Sequence, residues 1–186
     1  MKLSKGKIKN IVFFTLIGLL LIPQTRQPIQ VLLHKSLALF SPSIIDESNQ
    51  IIVEDYNWIL KDESGLSFNF KSTKGKVVLI NFWATWCPPC IAEMSSMQAL
   101  YEDYKDVVEF VFVSDEKFSV ISKFMNEKEY TFKVYKPISE YPNKFNISSI
   151  PRTFLIDKSG RIIIDKTGAA NWNSESVKEV INDLLK

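Results

Sequence analysis

Apolar residues run along this chain in three patterns, and each predicts a different kind of element. The first is unbroken: residues 11–22 are almost wholly apolar, extendable back to Ile8 and ended by Pro23. Lys2, Lys5, Lys7 and Lys9 precede the run without an acid among them. A basic flank ahead of an apolar stretch is the pattern of a segment inserted with its N-terminus in the cytoplasm. The run is short against the ~20 residues of a full span, with ~17 near the lower limit, so an uncleaved anchor and a removed signal peptide are both open. No small-x-small cleavage site follows at Pro23-Gln24-Thr25-Arg26, which favours a transmembrane or signal-anchor segment over 11–22 behind a cytoplasmic basic flank over 1–10.

The second pattern has helical spacing. Ile29, Leu32, Leu33, Leu37 and Phe40 repeat at three and four, with Gln30, His34 and Lys35 between them. This predicts an amphipathic helix, lying on a membrane surface or packed on the domain. From Ser41 to Glu54 the chain turns polar, so residues 23–54 read as a juxtamembrane segment and linker, and 55–186 as the globular domain. Within the domain, Ile121, Phe124 and Met125 share a face of a helix over Phe118 to Lys128. Val177, Val180, Ile181, Leu184 and Leu185 mark a last helix entered through the N-cap residues Asn173-Ser174.

The third pattern is the buried strand. Val77-Val78-Leu79-Ile80-Asn81-Phe82-Trp83 lacks alternation, as expected of a strand covered on both faces. Val107 to Val113 is a second such run. Tyr56 to Phe70 holds two short strands around Asp62-Glu63-Ser64-Gly65, and Thr153–Asp157 pairs with Arg161–Lys166 around Lys158-Ser159-Gly160. Strand, helix, strand, helix, then a hairpin and a helix describe an α/β domain with a mixed sheet flanked by helices.

Composition changes this picture little. A net charge of +2, with lysines scattered rather than striped, speaks against nucleic acid as a partner. Cysteine usage changes it more: there are two cysteines in 186 residues, three positions apart, where a disulfide framework would spread them. They lie in Trp86-Cys87-Pro88-Pro89-Cys90, between the predicted buried strand and a helix over Ile91 to Tyr104. A helix N-terminus favours a thiolate through its free N–H groups and partial positive charge, and the two prolines suit a first turn whose N–H groups have no intrahelical partner. At this spacing one sulfur reaches the other, so attack and resolution fit in one motif. A structural disulfide closing so short a loop would gain little, and a zinc site would need ligands that one distant His34 does not supply. His34, outside the domain, reads as an incidental polar residue. No cofactor and no metal are implied.

Residues 78–90 resemble the active-site segment of thioredoxin-like proteins, and more narrowly that of bacterial extracytoplasmic TlpA/ResA-type oxidoreductases. Ser149-Ile150-Pro151-Arg152-Thr153-Phe154-Leu155-Ile156-Asp157 resembles that family's second signature. The resemblance implies a thioredoxin-like domain behind an N-terminal membrane anchor helix, with Cys87 as nucleophile and Cys90 as resolving thiol of a redox disulfide. It further implies Pro151 as a cis-proline presenting the backbone of Ile150 to an extended substrate, and Trp86 beside the exposed sulfur. Glu93, one turn beyond Cys90, matches a glutamate kept near the family's active site; an ordinary exposed helix glutamate is the alternative. Thioredoxins have a buried aspartate where this chain has Asn81, so Glu93 is the substitute proton carrier. Arg152 stands beside the substrate groove, either biasing partner choice or pointing to solvent. Trp58, Trp83 and Trp172 are expected to pack.

The implied function is a membrane-tethered, single-pass protein-disulfide reductase with its catalytic domain extracytoplasmic (periplasmic). A membrane electron donor would recharge it, and extracytoplasmic disulfide proteins, apocytochromes among them, would be its substrates. Pro88-Pro89 leaves an oxidase or isomerase open, and a non-enzymatic tethered assembly or binding factor is the reading from another class.

Overall fold

The computed structural model describes residues 5–145 and 147–186, so Lys2 of the basic flank lies outside the described residues. Two helices come first, α1 (Lys5–Leu21) and α2 (Pro23–Leu37). The domain follows as β1 (Ile59–Lys61), β2 (Ser67–Asn69), β3 (Val78–Phe82), α3 (Pro88–Tyr104), β4 (Glu109–Val113), α4 (Phe118–Lys128), β5 (Val134–Pro137), β6 (Arg152–Ile156), β7 (Ile162–Thr167) and α5 (Glu175–Leu185). The strands make one seven-stranded sheet in the order β2-β1-β5-β4-β3-β6-β7. β3, β4 and β5 are parallel, and the remaining neighbours antiparallel. Parallel strands need crossovers, which α3 and α4 supply.

β3 is central and buried at all five positions. Its side chains alternate between two cores, as a strand's period of two requires. Leu79 joins α3 (Met94, Met97, Leu100), α4 (Ile121, Met125) and α5 (Val177, Ile181) on the helix-covered face. Val78, Ile80 and Phe82 face the opposite core, filled by Trp58, Leu60, Phe70 and Phe145 from β1, loops and a short 3-10 turn rather than by an α-helix.

Three features differ from the sequence expectation. β5 lies in a stretch with no strand signal, because only Val134 and Tyr135 of its four residues are buried. The polar stretch expected to be linker is engaged before residue 55. The Ile45 N–H donates to the Ile163 carbonyl, Val53 N–H to Gly160 and Ile162 N–H to Ile51, so this segment runs along the edge of β7 through backbone bonds that polarity does not reveal. Among the described residues no helix is long and apolar enough to cross a membrane: α1 has 17 residues, about 25 Å at the α-helical rise against a hydrocarbon core of ~30 Å.

Gly160 shows how tightly that segment fits. Its φ is +87°, and a Cβ there would stand 2.6 Å from the Tyr56 hydroxyl and 3.1 Å from the Val53 carbonyl oxygen. Gly160→Ala is expected to cost roughly 2 kcal/mol from the left-handed backbone and the displaced tyrosine, lowering Tm by roughly 5 °C. An unchanged Tm by calorimetry would mean that the 45–56 segment does not hold this turn.

Candidate active site

The sharp exit from β3 sets the site. Trp83 N–H bonds to Val113 of β4, Cys87 N–H to Ala84, and the chain then enters α3 with Cys87 as N-cap and two prolines in the first turn. Cys87 and Cys90 are joined as a disulfide, S–S 2.12 Å. The Cys90 backbone N–H points at Cys87 Sγ, 3.3 Å away, the cap interaction that would also hold a thiolate at this sulfur. Cys90 is wholly buried and Cys87 is 3% exposed.

The second segment meets the pair as the sequence placed it. The Ile150–Pro151 peptide bond is cis, and the Ile150 carbonyl oxygen lies 3.8 Å from Cys87 Sγ. Pro151 is buried and Ile150 half-buried. Trp86, 64% exposed, stands beside the disulfide and shares a groove of about 410 Å³ with Ile150, Trp83, Asp115 and Tyr141. Arg152 turns away from that groove. Its guanidinium pairs through two nitrogens with Asp165, at 2.6 and 2.7 Å, and reaches Thr167 across the β6–β7 hairpin. The arginine is held along the sheet, with no free cation left at the cis-proline.

Glu93 has the most unusual surroundings. It is fully buried, one turn beyond Cys90 on α3, and neighbours at that spacing stand ~5–6 Å apart at Cβ. Asn81 Nδ2 donates to its Oε1 at 3.0 Å, and the Ala170 N–H and Trp172 Nε1–H both donate to Oε2 at 3.1 Å. Burial pushes its pKa up to about 8; the three hydrogen bonds oppose the shift without cancelling it. A carboxyl that ionises near neutral pH beside a dithiol is suited to exchange protons with it. The reading of Glu93 as an ordinary exposed residue therefore fails on burial. Asn81, in the strand position of the absent aspartate, is a donor to Glu93, and it also donates to Thr153 Oγ1 at 2.7 Å.

Several participants escaped the sequence reading. Trp172, expected only to pack, also holds the carboxyl of Glu93. Glu116 accepts both the N–H and the hydroxyl of Thr85, at 2.6 and 2.7 Å, while Gln27 of α2 donates to the Thr85 carbonyl at 3.2 Å. The residue two before Cys87 is thus clamped from both sides. Only a rule linking residues 31 and 58 positions apart would have found this.

Comparison with known proteins agrees with this arrangement. The Redoxin family matches residues 41–184. The chain is 33% identical over 144 residues to thiol-disulfide oxidoreductase ResA of Bacillus thuringiensis subsp. konkukian, spanning 76% of this chain and 80% of that protein. To ResA of Bacillus anthracis it is 35% identical over 147 residues, spanning 75% and 79%. Among solved structures, the thioredoxin domain of a thiol-disulfide oxidoreductase from Bacteroides vulgatus superposes with TM-score 0.57 at 19% identity, covering 73% of this chain and 99% of that one. A DsbF homologue from Corynebacterium diphtheriae gives 0.56 at 22%, covering 76% and 90%. The two structures speak for the fold, and the curated relatives for the chemistry. On both grounds the chain belongs to the Redoxin family, among the ResA/TlpA-type thioredoxin-like thiol–disulfide oxidoreductases.

Proposed function

We propose that this oxidoreductase is a membrane-tethered reductase of protein disulfides outside the cytoplasm, with Cys87 as nucleophile and Cys90 as resolving thiol. The observation that carries the reading is the setting of Cys87 Sγ: at the head of α3, facing the backbone of Ile150, with a buried carboxyl one turn past its partner. In the dithiol form, the Cys87 thiolate attacks a substrate disulfide, the substrate S–S bond breaks, and the departing sulfur takes a proton. Cys90, giving its proton to the ionised Glu93, then attacks Cys87 Sγ. The Cys87–substrate bond breaks, the second substrate sulfur leaves as a thiolate that takes the proton back from Glu93, and the Cys87–Cys90 disulfide remains. Two electrons pass to the substrate, and a membrane dithiol donor restores the pair. Ile150 and Pro151 hold the substrate backbone, and Trp86 flanks the nucleophile Cys87.

The reducing direction is supported by what surrounds Cys87. The Ile150 carbonyl oxygen, 3.8 Å from its sulfur, works against a thiolate there and offsets part of what the Cys90 N–H cap gives, and strong oxidants are those that stabilise theirs. The Cys87–Cys90 couple is expected nearer the thioredoxin potential of about −270 mV than the DsbA value of about −120 mV. Equilibration with glutathione or dithiothreitol buffers measures it; a potential near the DsbA value reverses the proposed direction.

Tethering is supported by the basic flank and by α1, whose Ile11, Val12, Phe13, Phe14 and Leu21 are exposed on the protein surface. With local thinning of the bilayer and snorkelling of its flanking lysines such a helix serves as an anchor. Mass determination of the mature N-terminus tests this, since a chain beginning after Pro23 would lack the tether. Extracytoplasmic thiol proteins are the proposed substrates, with apocytochromes as a candidate class.

A further inference from the structure

α2 lies against the active-site loop through a mixed face, with Gln27, Ile29, Gln30, Val31 and His34 half-buried and Arg26 at its exposed edge. Arg26, Gln30 and His34 recur every fourth residue and so form one stripe; Leu33 is 65% exposed, and Leu32, 70% exposed, borders a separate depression with Val31, Ile91 and Phe124. The stripe is one wall of a groove of about 520 Å³ whose other wall is Trp86, Pro88 and Pro89, with Leu21 at the end of α1 also lining it. Trp86 also lines the groove that contains Ile150, so the two depressions meet at this ring, next to Cys87. Gln27 fixes the arrangement through its bond to the Thr85 carbonyl. Among the described residues, Arg26, Gln30 and His34 have no side-chain hydrogen-bond or ion-pair partner, although other charged residues of the surface are paired. Lys35 and Lys128 line the adjoining depression and add to the positive charge on this side, whereas Asp115 and Glu116 give the Ile150 groove an acidic rim.

We propose that the groove between α2 and the Trp86–Pro89 loop is a substrate subsite, which takes the stretch of polypeptide flanking the target cysteine and prefers Asp or Glu in it. The inference rests on the disulfide-exchange reading above and deepens it. An extended segment held at Ile150 with its cysteine at Cys87 passes Trp86 and enters this groove. There the Arg26 guanidinium offers fork-shaped donors to a carboxylate, and Gln30 and His34 can donate to backbone carbonyls. Opposite charge on the two sides of Trp86 also selects one chain direction, since a basic residue suits the Asp115 side and an acidic one the Arg26 side. α2 lies upstream of the family match at residues 41–184, so the subsite belongs to this chain's own N-terminal segment.

The test uses the reduced full chain in neutral detergent and three disulfide-bonded peptides, identical except for acidic, amide or basic residues flanking the cysteine. Second-order exchange rates by stopped flow are expected to favour the acidic peptide over the amide one by about fivefold, the effect of one exposed ion pair. In Arg26→Glu, alone and with His34→Ala, the acidic-to-amide ratio falls to one or below. Equal rates for the three peptides in the wild type, or an acidic preference that survives in the double variant, overturns the subsite. If instead Arg26→Glu alters only retention on anionic-lipid vesicles, the stripe contacts headgroups and the proposal falls. Failure of all three peptides to react would refute the exchange reading itself, a result distinct from a flat preference.

Discussion

Cys90→Ser will convert the protein from a turnover catalyst into a trap. Cys87 keeps its cap, because the donor to Sγ is the backbone N–H of residue 90, which the substitution leaves in place. The first attack therefore proceeds and a mixed disulfide forms, but no second sulfur is in reach to resolve it. Non-reducing electrophoresis of cells carrying this variant will show covalent adducts that collapse with dithiothreitol, and mass spectrometry of the adducts names the substrates. Cys87→Ser removes the nucleophile itself, with steady-state exchange falling by at least about 1,000-fold and no adducts formed. The asymmetry is what matters. Were adducts to form in Cys87→Ser and not in Cys90→Ser, the roles of the two sulfurs would be exchanged. The structure argues against that: the sulfur expected to be exposed is nearly covered in the disulfide, at 3%, but Cys90 is wholly buried behind it while Cys87 lies against the Ile150 carbonyl and follows the exposed Trp86.

What was legible in the sequence was local, and what was hidden depended on distant contacts. The unbroken run ending at Trp83, the prolines after Cys87 and the glycine at residue 160 announce a buried strand, a helix start and a hairpin, because each obeys a rule that spans a few residues. β5 gave no such signal: two buried residues followed by Lys136 and Pro137 are too few to show a period. α2 was foreseen as a helix, but its face was not. The leucine stripe left a membrane surface and the domain open as its seat; the structure sets Gln27, Gln30 and His34 beside the redox loop, half-buries Ile29 and Val31 with them, and leaves Leu32 and Leu33 exposed. Arg152 likewise showed its charge but not its partner, because Asp165 becomes its neighbour only through the register of β6 on β7. Glu93 was recognisable by position, yet its burial depends on Ala170 and Trp172, 77 and 79 residues onward.

That burial makes Glu93→Gln the most informative substitution for proton transfer. The carboxyl titrates at about 8 in the folded protein and near 4.5 when exposed. Below 4.5 both states are protonated; between 4.5 and about 8 the unfolded chain has lost the proton and the folded one keeps it. The unfolded state then binds fewer protons, so stability falls as pH rises through this window, by on the order of a few kcal/mol in total, and is level above it. Glutamine imitates the protonated form. Its Oε1 can accept from Ala170 and Trp172, and a half-turn of the Asn81 amide would bring the unpaired Asn81 Oδ1 to the new Nε2–H and to the Thr153 hydroxyl. The denaturation midpoint of Glu93→Gln should therefore match wild type at pH 4 and exceed it increasingly toward pH 8; parallel profiles would show that Glu93 does not hold its proton as its burial demands. Catalysis should move the other way. With a pKa of about 8, Glu93 is ionised and able to accept the Cys90 proton mainly above pH 8, and glutamine cannot accept it at all. Release of a preformed mixed disulfide should therefore slow by about 100-fold above pH 8, by less at neutral pH, and lose its inflection near 8, while the first attack by Cys87 changes far less. A variant that is more stable and slower only in the resolving step separates a proton carrier from a structural carboxyl, because loss of packing alone would lower stability and slow both steps together.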